Sequence, residues 1–230
     1  RLGQWCGHAP ILEEDIALTN VALDLIGQAR LYYQYAGELE GRGRGEDELA
    51  FLRPEREFGN LLLVEQPNGD FAVTIARQFL FDSFNLLLTT ALVNSSDARI
   101  AAIAAKAVKE VTYHRRHSAS WVIRLGDGTD ESRRRIVAGF ETLIGFTDEF
   151  FESDAVDHLM AETGVAPDLA TLRQPWEADV GAVLAEATLD WPARTWSVRG
   201  GRHEGRHTEH LGHMLAEMQS MQRTYPGLTW

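Results

Sequence analysis

Apolar positions recur along most of the chain at intervals of three and four residues, the spacing that places them on one face of an α-helix. This pattern predicts four long helices, at about residues 11–39, 70–93, 97–125 and 131–152. The last three are joined by turns of only a few residues, as antiparallel neighbours require. The sequence therefore predicts an all-α fold built on an antiparallel four-helix bundle.

The pattern becomes less regular after the bundle. Shorter helical segments are predicted at about residues 54–64, 154–163, 175–189 and 206–224. An irregular loop, DWPARTWSVRGGRHEGR, separates the last two of them. We therefore expect a single domain over residues 1–230, with a core bundle at about 11–152 and a helical C-terminal extension at about 153–230.

Charge and cysteine content narrow the possible functions. The net charge of -12 disfavours nucleic acid and anionic membrane surfaces as partners. The single cysteine cannot form an internal disulfide or a thiolate metal cage, which is typical of a cytoplasmic protein. The chain opens at Arg1 without a signal-like segment or an initiator methionine, so further native N-terminal residues are expected.

Polar residues interrupt the apolar helices at helical spacing. The first predicted helix is apolar almost all round except for Asn20, Asp24 and Gln28, so it is expected to be buried on most sides. The second predicted helix carries a similar polar set: Thr74, Gln78, Asp82, Asn85 and Thr89. These stripes face either water or a polar bundle interior.

The third predicted helix directs charged groups at the core. Glu110 and His114 fall in or beside its apolar stripe, and Lys106 lies one turn earlier. Buried charges are costly unless they are paired or bind a metal. We expect a satisfied Lys106–Glu110–His114 ladder, and the alternative is the remnant of a metal site.

Di-iron carboxylate bundles place one Glu on each of two helices and a Glu-x-x-His pair on each of the other two. The corresponding positions here are Asp24, Asp82-x-x-Asn85, Glu110 and Glu141-x-x-Ile144. An amide is a weak iron ligand and Ile144 cannot coordinate a metal. We therefore assign no catalytic, cofactor-binding or metal-binding residue. We expect a degenerate di-iron-like pocket formed by Asp24, Asp82, Asn85, Glu110 and His114.

Two further clusters have a structural and a functional interpretation. Half of the eight histidines lie within residues 203–213, where His207, His210 and His213 fan around a helix and cannot converge on one metal. Hydrogen bonds to the backbone and to neighbouring loops are the expected role, with chelation by a pair as the alternative. The basic run at 133–135 is expected to be a solvated face, with attraction of an anionic ligand such as a phosphate group as the alternative.

Several stretches are specific far beyond a generic bundle pattern. They include RLGQWCGHAPILEEDIAL, ALDLIGQAR, LLLVEQPNGDFAVTIARQ, AAIAAKAVKEVTYH, RLGDGTD and HTEHLGHMLAEMQSMQR. Together they run over essentially the whole chain and resemble the C subunits of the phenylacetyl-CoA monooxygenases (epoxidases) of phenylacetate degradation. The family carries a further N-terminal helical segment that this chain does not show.

The resemblance implies a ferritin-like fold and a heteromeric complex. A homologous A subunit would carry the di-iron centre, and the C subunit would support it and help to frame the site of phenylacetyl-CoA near their interface. The complex would use dioxygen, with electrons from NADPH through a reductase subunit, to epoxidise the aromatic ring. The alternatives are a metal-binding ferritin-like oxidoreductase in its own right and a plain scaffold remote from the substrate.

Overall fold

In a computed structural model of the chain, residues 1–228 are described, and their regular structure is helical throughout. The last two positions of the predicted extension lie outside the described residues. The α-helices are α1 (Leu12–Glu40), α2 (Leu62–Glu65), α3 (Phe71–Leu92), α4 (Ala98–Gly126), α5 (Asp130–Leu143), α6 (Ala155–Glu162), α7 (Arg173–Glu186), α8 (Gly201–Glu204), α9 (Glu209–Met218) and α10 (Ser220–Thr224). The predicted all-α fold class is confirmed.

Side-chain caps fix where three of the four long helices, α3, α4 and α5, begin. The Asp70 carboxylate accepts a hydrogen bond from the backbone N–H of Val73 at the start of α3. Asp97 caps α4 in the same way, and Thr129 caps α5 through a reciprocal capping box with Ser132. These caps satisfy N–H groups that have no partner within the helix. The predicted starts of these three helices agree with the structure to within one residue.

The fourth long helix is shorter than predicted. It ends at Leu143 instead of about residue 152, and two 3-10 turns, 144–146 and 148–151, follow it. A Cβ at Gly145 would clash with the ring of Trp196, and the Gly145 carbonyl accepts a hydrogen bond from Val198 (3.1 Å). The helix therefore ends because a distant loop packs against it, which the local pattern does not reveal.

The core is centred on α3. This helix packs against α4, α5 and α7, and α4 also contacts α1 and α5. Phe79, Phe140 and Trp176 are almost fully buried, and the indole of Trp176 donates to the Leu80 carbonyl (3.0 Å). α3 is long and apolar enough to cross a membrane by composition, but 61% of its most apolar window is buried inside the molecule. It is accordingly the central core helix of the bundle.

The C-terminal extension differs from the prediction in its helix bounds. The helix predicted at 206–224 is divided into α9 and α10, and α8 lies within the predicted loop. Gly205 adopts a left-handed conformation (φ 59°), and a Cβ there would clash with the Arg56 carbonyl. The helix predicted at 54–64 is a 3-10 turn at 55–57 followed by α2. Contacts between these two parts of the chain, such as that of Gly205 with Arg56, therefore influence the helix bounds.

The first helix is less buried than predicted. α1 lies along α4, and Leu12, Ile16, Leu23 and Ile26 are between 53% and 72% exposed. Asn20, from its predicted polar stripe, is also exposed. The expectation that α1 is buried on most sides was wrong, because an apolar composition does not specify whether the neighbouring surface belongs to the same chain.

Candidate site between α1, α3 and α4

Polar pairs join α1 to α4. Asp24 Oδ2 lies 2.9 Å from His114 Nε2, and the Gln28 amide donates to Glu110 Oε2 at 2.8 Å. Lys106 is exposed. The predicted Lys106–Glu110–His114 ladder along one helix was therefore wrong, since the partners of the carboxylate and the imidazole come from the facing helix.

His114 is the most enclosed member of this site. Its side chain is fully buried, whereas that of Asp24 is 36% exposed. The Nε2 atom of the imidazole faces the Asp24 carboxylate, and Nδ1 finds no hydrogen-bond partner within residues 1–228. The hydrogen bond to Asp24 thus occupies the ring nitrogen that points toward α1.

Asp82 lies deeper in the core than the other candidate carboxylates. It is 2% exposed, and burial raises its pKa to about 7 despite opposing effects from the nearby Ser118 hydroxyl and the charge of Arg115. Its Oδ1 atom has no hydrogen-bond partner in the described part of the chain. Near neutral pH this carboxyl group is therefore protonated in a large fraction of molecules, and a protonated carboxyl is a poor metal ligand.

The remaining positions of the expected ligand pattern do not supply donors to the pocket. Asn85 Oδ1 accepts a weak hydrogen bond from Thr89 on the same helix (3.3 Å). Glu141 is exposed on α5. Ile144 is fully buried and apolar. The structure brings together Asp24 with His114, whereas Glu110 pairs with Gln28 and Glu141 faces solvent.

A shallow groove of about 150 Å³ runs between α1 and α4 beside these pairs. Its lining includes Asp24, Gln28 and Glu110 together with small residues, Gly27 and Ala107. Two of the candidate carboxylates thus border an opening to solvent instead of a closed bundle interior.

A second cluster was not predicted from the sequence. Within residues 1–228, Asp154, Asp157 and His203 form the one group of three side chains close enough to share a metal ion. Asp154 already accepts the N–H groups that begin α6, and Asp157 accepts a hydrogen bond from Arg202 (2.7 Å). Because these carboxylates cap a helix and pair with cations, the arrangement matches a helix-capping box joined to the C-terminal segment.

One of the histidines at 203–213, His207, has a fully buried side chain that is hydrogen-bonded through both ring nitrogens. His207 Nδ1 lies 2.6 Å from Glu65 Oε1, and His207 Nε2 lies 2.8 Å from the Phe58 carbonyl. The backbone and hydroxyl of Thr208 both donate to the second oxygen of Glu65. Hydrogen bonding to backbone and loops, as predicted, is confirmed for His207 and for His203, which lies 3.3 Å from the Glu152 carbonyl.

The basic run at 133–135 is also engaged within the chain. Arg133 donates to the Gly126 carbonyl and to Thr188, while Arg134 and Arg135 both pair with Glu131. Exposed pairs of this kind are typical of a solvated face, as predicted.

The VEQPNGD stretch is held in place by hydrogen bonds from one buried side chain, Arg77. Arg77 is 1% exposed and donates to the carbonyls of Gln66 and Pro67 and to the side chain of Asn68. Gly69 then takes a left-handed conformation (φ 57°) that turns the chain into α3. The stretch is thus a rigid turn that fixes the start of the central helix.

Comparison with known proteins agrees with this architecture. The model of a family described as phenylacetic acid catabolic protein matches residues 1–230, so the chain belongs to this family of ferritin-like helical proteins. The chain is 54% identical over its full length to the C subunit of 1,2-phenylacetyl-CoA epoxidase from Escherichia coli (strain K12), and the match covers 92% of that relative. The family suggested by the sequence stretches is confirmed.

Proposed function

We propose that this protein is a non-catalytic structural subunit of a multi-subunit phenylacetyl-CoA epoxidase. Two polar pairs at the candidate site support this role: Asp24 pairs with His114, and Glu110 pairs with Gln28. A di-iron centre needs carboxylates and imidazoles that are free to coordinate the metal.

The residues of the candidate site do not fit a di-iron cofactor. Asn85 and Ile144 occupy positions where an imidazole is required, and Glu141 points to solvent. Asp82 is buried with a raised pKa, so it is a poor source of negative charge for a cation near neutral pH. The di-iron centre, and the electrons that reach it from NADPH through a reductase subunit, are proposed to belong to other subunits of the complex.

The proposed partners are a catalytic A subunit, which is homologous to this chain, and the further subunits of the same enzyme in the cytoplasm. Phenylacetyl-CoA is proposed to bind near the interface with the A subunit. The net charge of -12 opposes a direct role in binding the anionic CoA moiety except through local groups. The chain would then support the catalytic subunit and help to shape its substrate site.

Elemental analysis of iron tests this function. We expect negligible iron in the chain purified alone, and iron together with epoxidase activity after co-expression with the catalytic subunit. About two irons per chain in the isolated protein, the content of a di-iron centre, would contradict the proposal. In that case, loss of the iron in Asp24→Asn and His114→Gln variants, but not in a His213→Gln control on the exposed face of α9, would assign it to the candidate site.

A further inference from the structure

The turn before α3 contains an asparagine that is followed by a glycine. Asn68–Gly69 is the one such pair among the five asparagines of the sequence. A backbone nitrogen can attack the side-chain carboxamide of a preceding asparagine, and glycine has no Cβ to hinder that attack. Asn68 is therefore the asparagine of this chain that is chemically most susceptible to deamidation.

Deamidation at this position needs water as its co-reactant and involves no change of oxidation state. The Gly69 nitrogen gives its proton to solvent base and forms a bond with Asn68 Cγ. The Cγ–Nδ2 bond breaks, and Nδ2 takes a proton from solvent and leaves as ammonia. Water then opens the resulting succinimide ring at either carbonyl, which gives aspartate or isoaspartate. Because the ring is nearly planar, the carboxamide and the peptide bond to Gly69 must both be free to move before it can close.

The fold holds the Asn68 carboxamide at both ends. Arg77 Nη2 donates to Oδ1 (2.7 Å), and Nδ2 donates to the Arg1 carbonyl (3.0 Å) and to Gln4 Oε1 (3.3 Å). A guanidinium only donates and a backbone carbonyl only accepts, so these partners fix the orientation of the carboxamide. The backbone carbonyl of Asn68 accepts a hydrogen bond from the Thr74 hydroxyl (2.8 Å). Ring closure would have to break these bonds.

Arg77 is well suited to hold the carboxamide because it is itself fixed. Its side chain is 1% exposed, and Nη1 donates to the carbonyls of Gln66 (2.7 Å) and Pro67 (3.1 Å). These acceptors and Asn68 Oδ1 are neutral, so the buried cation depends on all of them to offset its lost hydration. Asn68 Oδ1 is therefore held for as long as the turn at residues 66–69 stays closed.

We propose that Asn68 is a site of spontaneous deamidation, which the Arg77 clamp suppresses in the folded chain and which opening of the turn at residues 66–69 exposes. The site is independent of the proposed function, because its chemistry needs neither a metal nor another subunit. Isoaspartate would add a carbon to the main chain next to Gly69, where φ is 57° and a Cβ would lie 2.9 Å from Val73. A chain that has reacted in this way would have a displaced start of α3.

Peptide mapping by mass spectrometry tests the protection. The purified chain and a synthetic peptide of residues 61–76 are kept in the same mildly alkaline buffer, and the deamidated fraction at Asn68 is followed with time. We expect Asn68 to react at least about tenfold more slowly in the folded chain, because the reaction must wait for local opening. Equal rates in the chain and the peptide would overturn the proposal.

Arg77→Met tests which residue provides the protection. The variant lacks the donor to Oδ1, so the rate at Asn68 should rise at least about tenfold above that of the folded wild type. Arg115→Met, which loses an ion pair with Asp179 elsewhere in the bundle, is the matched control and should leave the rate unchanged. Deamidation of Asn94, an exposed asparagine between α3 and α4, is measured in the same digest and reports general unfolding.

The rates at Asn68 and Asn94 together decide the outcome. A wild-type rate at Asn68 in folded Arg77→Met would contradict the role of Arg77. If both rates rise in parallel, the variant has unfolded, and Arg77→Lys takes its place because lysine keeps the charge without the forked donors. A rise at Asn68 alone in Arg77→Lys would then support the clamp, and a wild-type rate there would overturn it.

Discussion

Three buried carboxyl groups differ in how many donors surround them. Glu65 and Glu149 are fully buried and accept several hydrogen bonds each, from His207, Thr208 and backbone N–H groups. Asp82 is also buried but leaves Oδ1 unpaired within the described residues. A buried carboxyl group that lacks such donors is destabilised in its charged form, as the raised pKa of Asp82 indicates. Equivalent depth in the core therefore leaves the three carboxyl groups with different numbers of hydrogen-bond donors.

Asp82→Asn should change how stability depends on pH. Burial raises the pKa of Asp82 from 3.8 to about 7 in the folded chain, so ionisation is unfavourable there. The folded state consequently loses stability relative to the unfolded state as pH rises from about 4 through 7. The variant lacks this loss and should be more stable than wild type at pH ~8, by up to about 4 kcal/mol.

Urea unfolding at pH ~5 and ~8 measures this effect, because each titrating group contributes a pH-dependent term to the unfolding free energy. Asp190→Asn, at an exposed position, is the control and should leave the pH dependence unchanged. Identical pH profiles for wild type and Asp82→Asn would show that ionisation of Asp82 is not costly.

For individual residues, the sequence identified the polar groups of the candidate site but not their hydrogen-bond partners. Glu110 and His114 were expected to interact with each other because they lie one turn apart on the same helix. Their partners, Gln28 and Asp24, lie 82 and 90 positions away. Local spacing contains no information about pairs of that separation, so only the fold could show them.

The start of a helix was predictable where a residue next to it in the sequence determines it. Asp70, Asp97 and Thr129 cap the long helices, and capping residues are recognisable in the sequence. The end of α5 was not predictable, because the packing of Trp196 on Gly145 depends on a loop some 50 residues away. The short C-terminal helices were misplaced for a similar reason.

Glu149→Gln tests how the C-terminal segment is held. The Glu149 carboxylate accepts the backbone N–H groups of Leu62 (2.8 Å), Gly200 (3.1 Å) and Arg202 (3.0 Å). Glutamine would place an NH₂ group against these donors, so we expect a loss of about 1–3 kcal/mol or more in unfolding free energy. Proteolysis within residues 190–206 should become faster.

Urea unfolding and limited proteolysis provide the two measurements. Glu186→Gln, an exposed residue at the end of α7, is the matched control. Wild-type stability in Glu149→Gln would show that these backbone groups find other acceptors.

On the scale of the whole molecule, the chain is a bundle with one incompletely covered helix. The fold class and family followed from periodicity and from specific sequence stretches. The uncovered side of α1 did not, because an apolar stripe predicts burial without showing which chain provides it. The exposed fractions of Leu12 and Ile26, 72% and 64%, show that residues 1–228 leave both side chains uncovered.

The anchoring of Glu65 and Glu149 has a consequence for synthesis of the protein. Their donors include Gly200, Arg202, His207 and Thr208, which a ribosome adds long after Glu65 and Glu149. A polypeptide that stops earlier must bury two carboxylates without these donors or leave its core open. Chains that stop before Thr208 would therefore remain accessible to proteases and chaperones, and the core closes only once that segment has been synthesised.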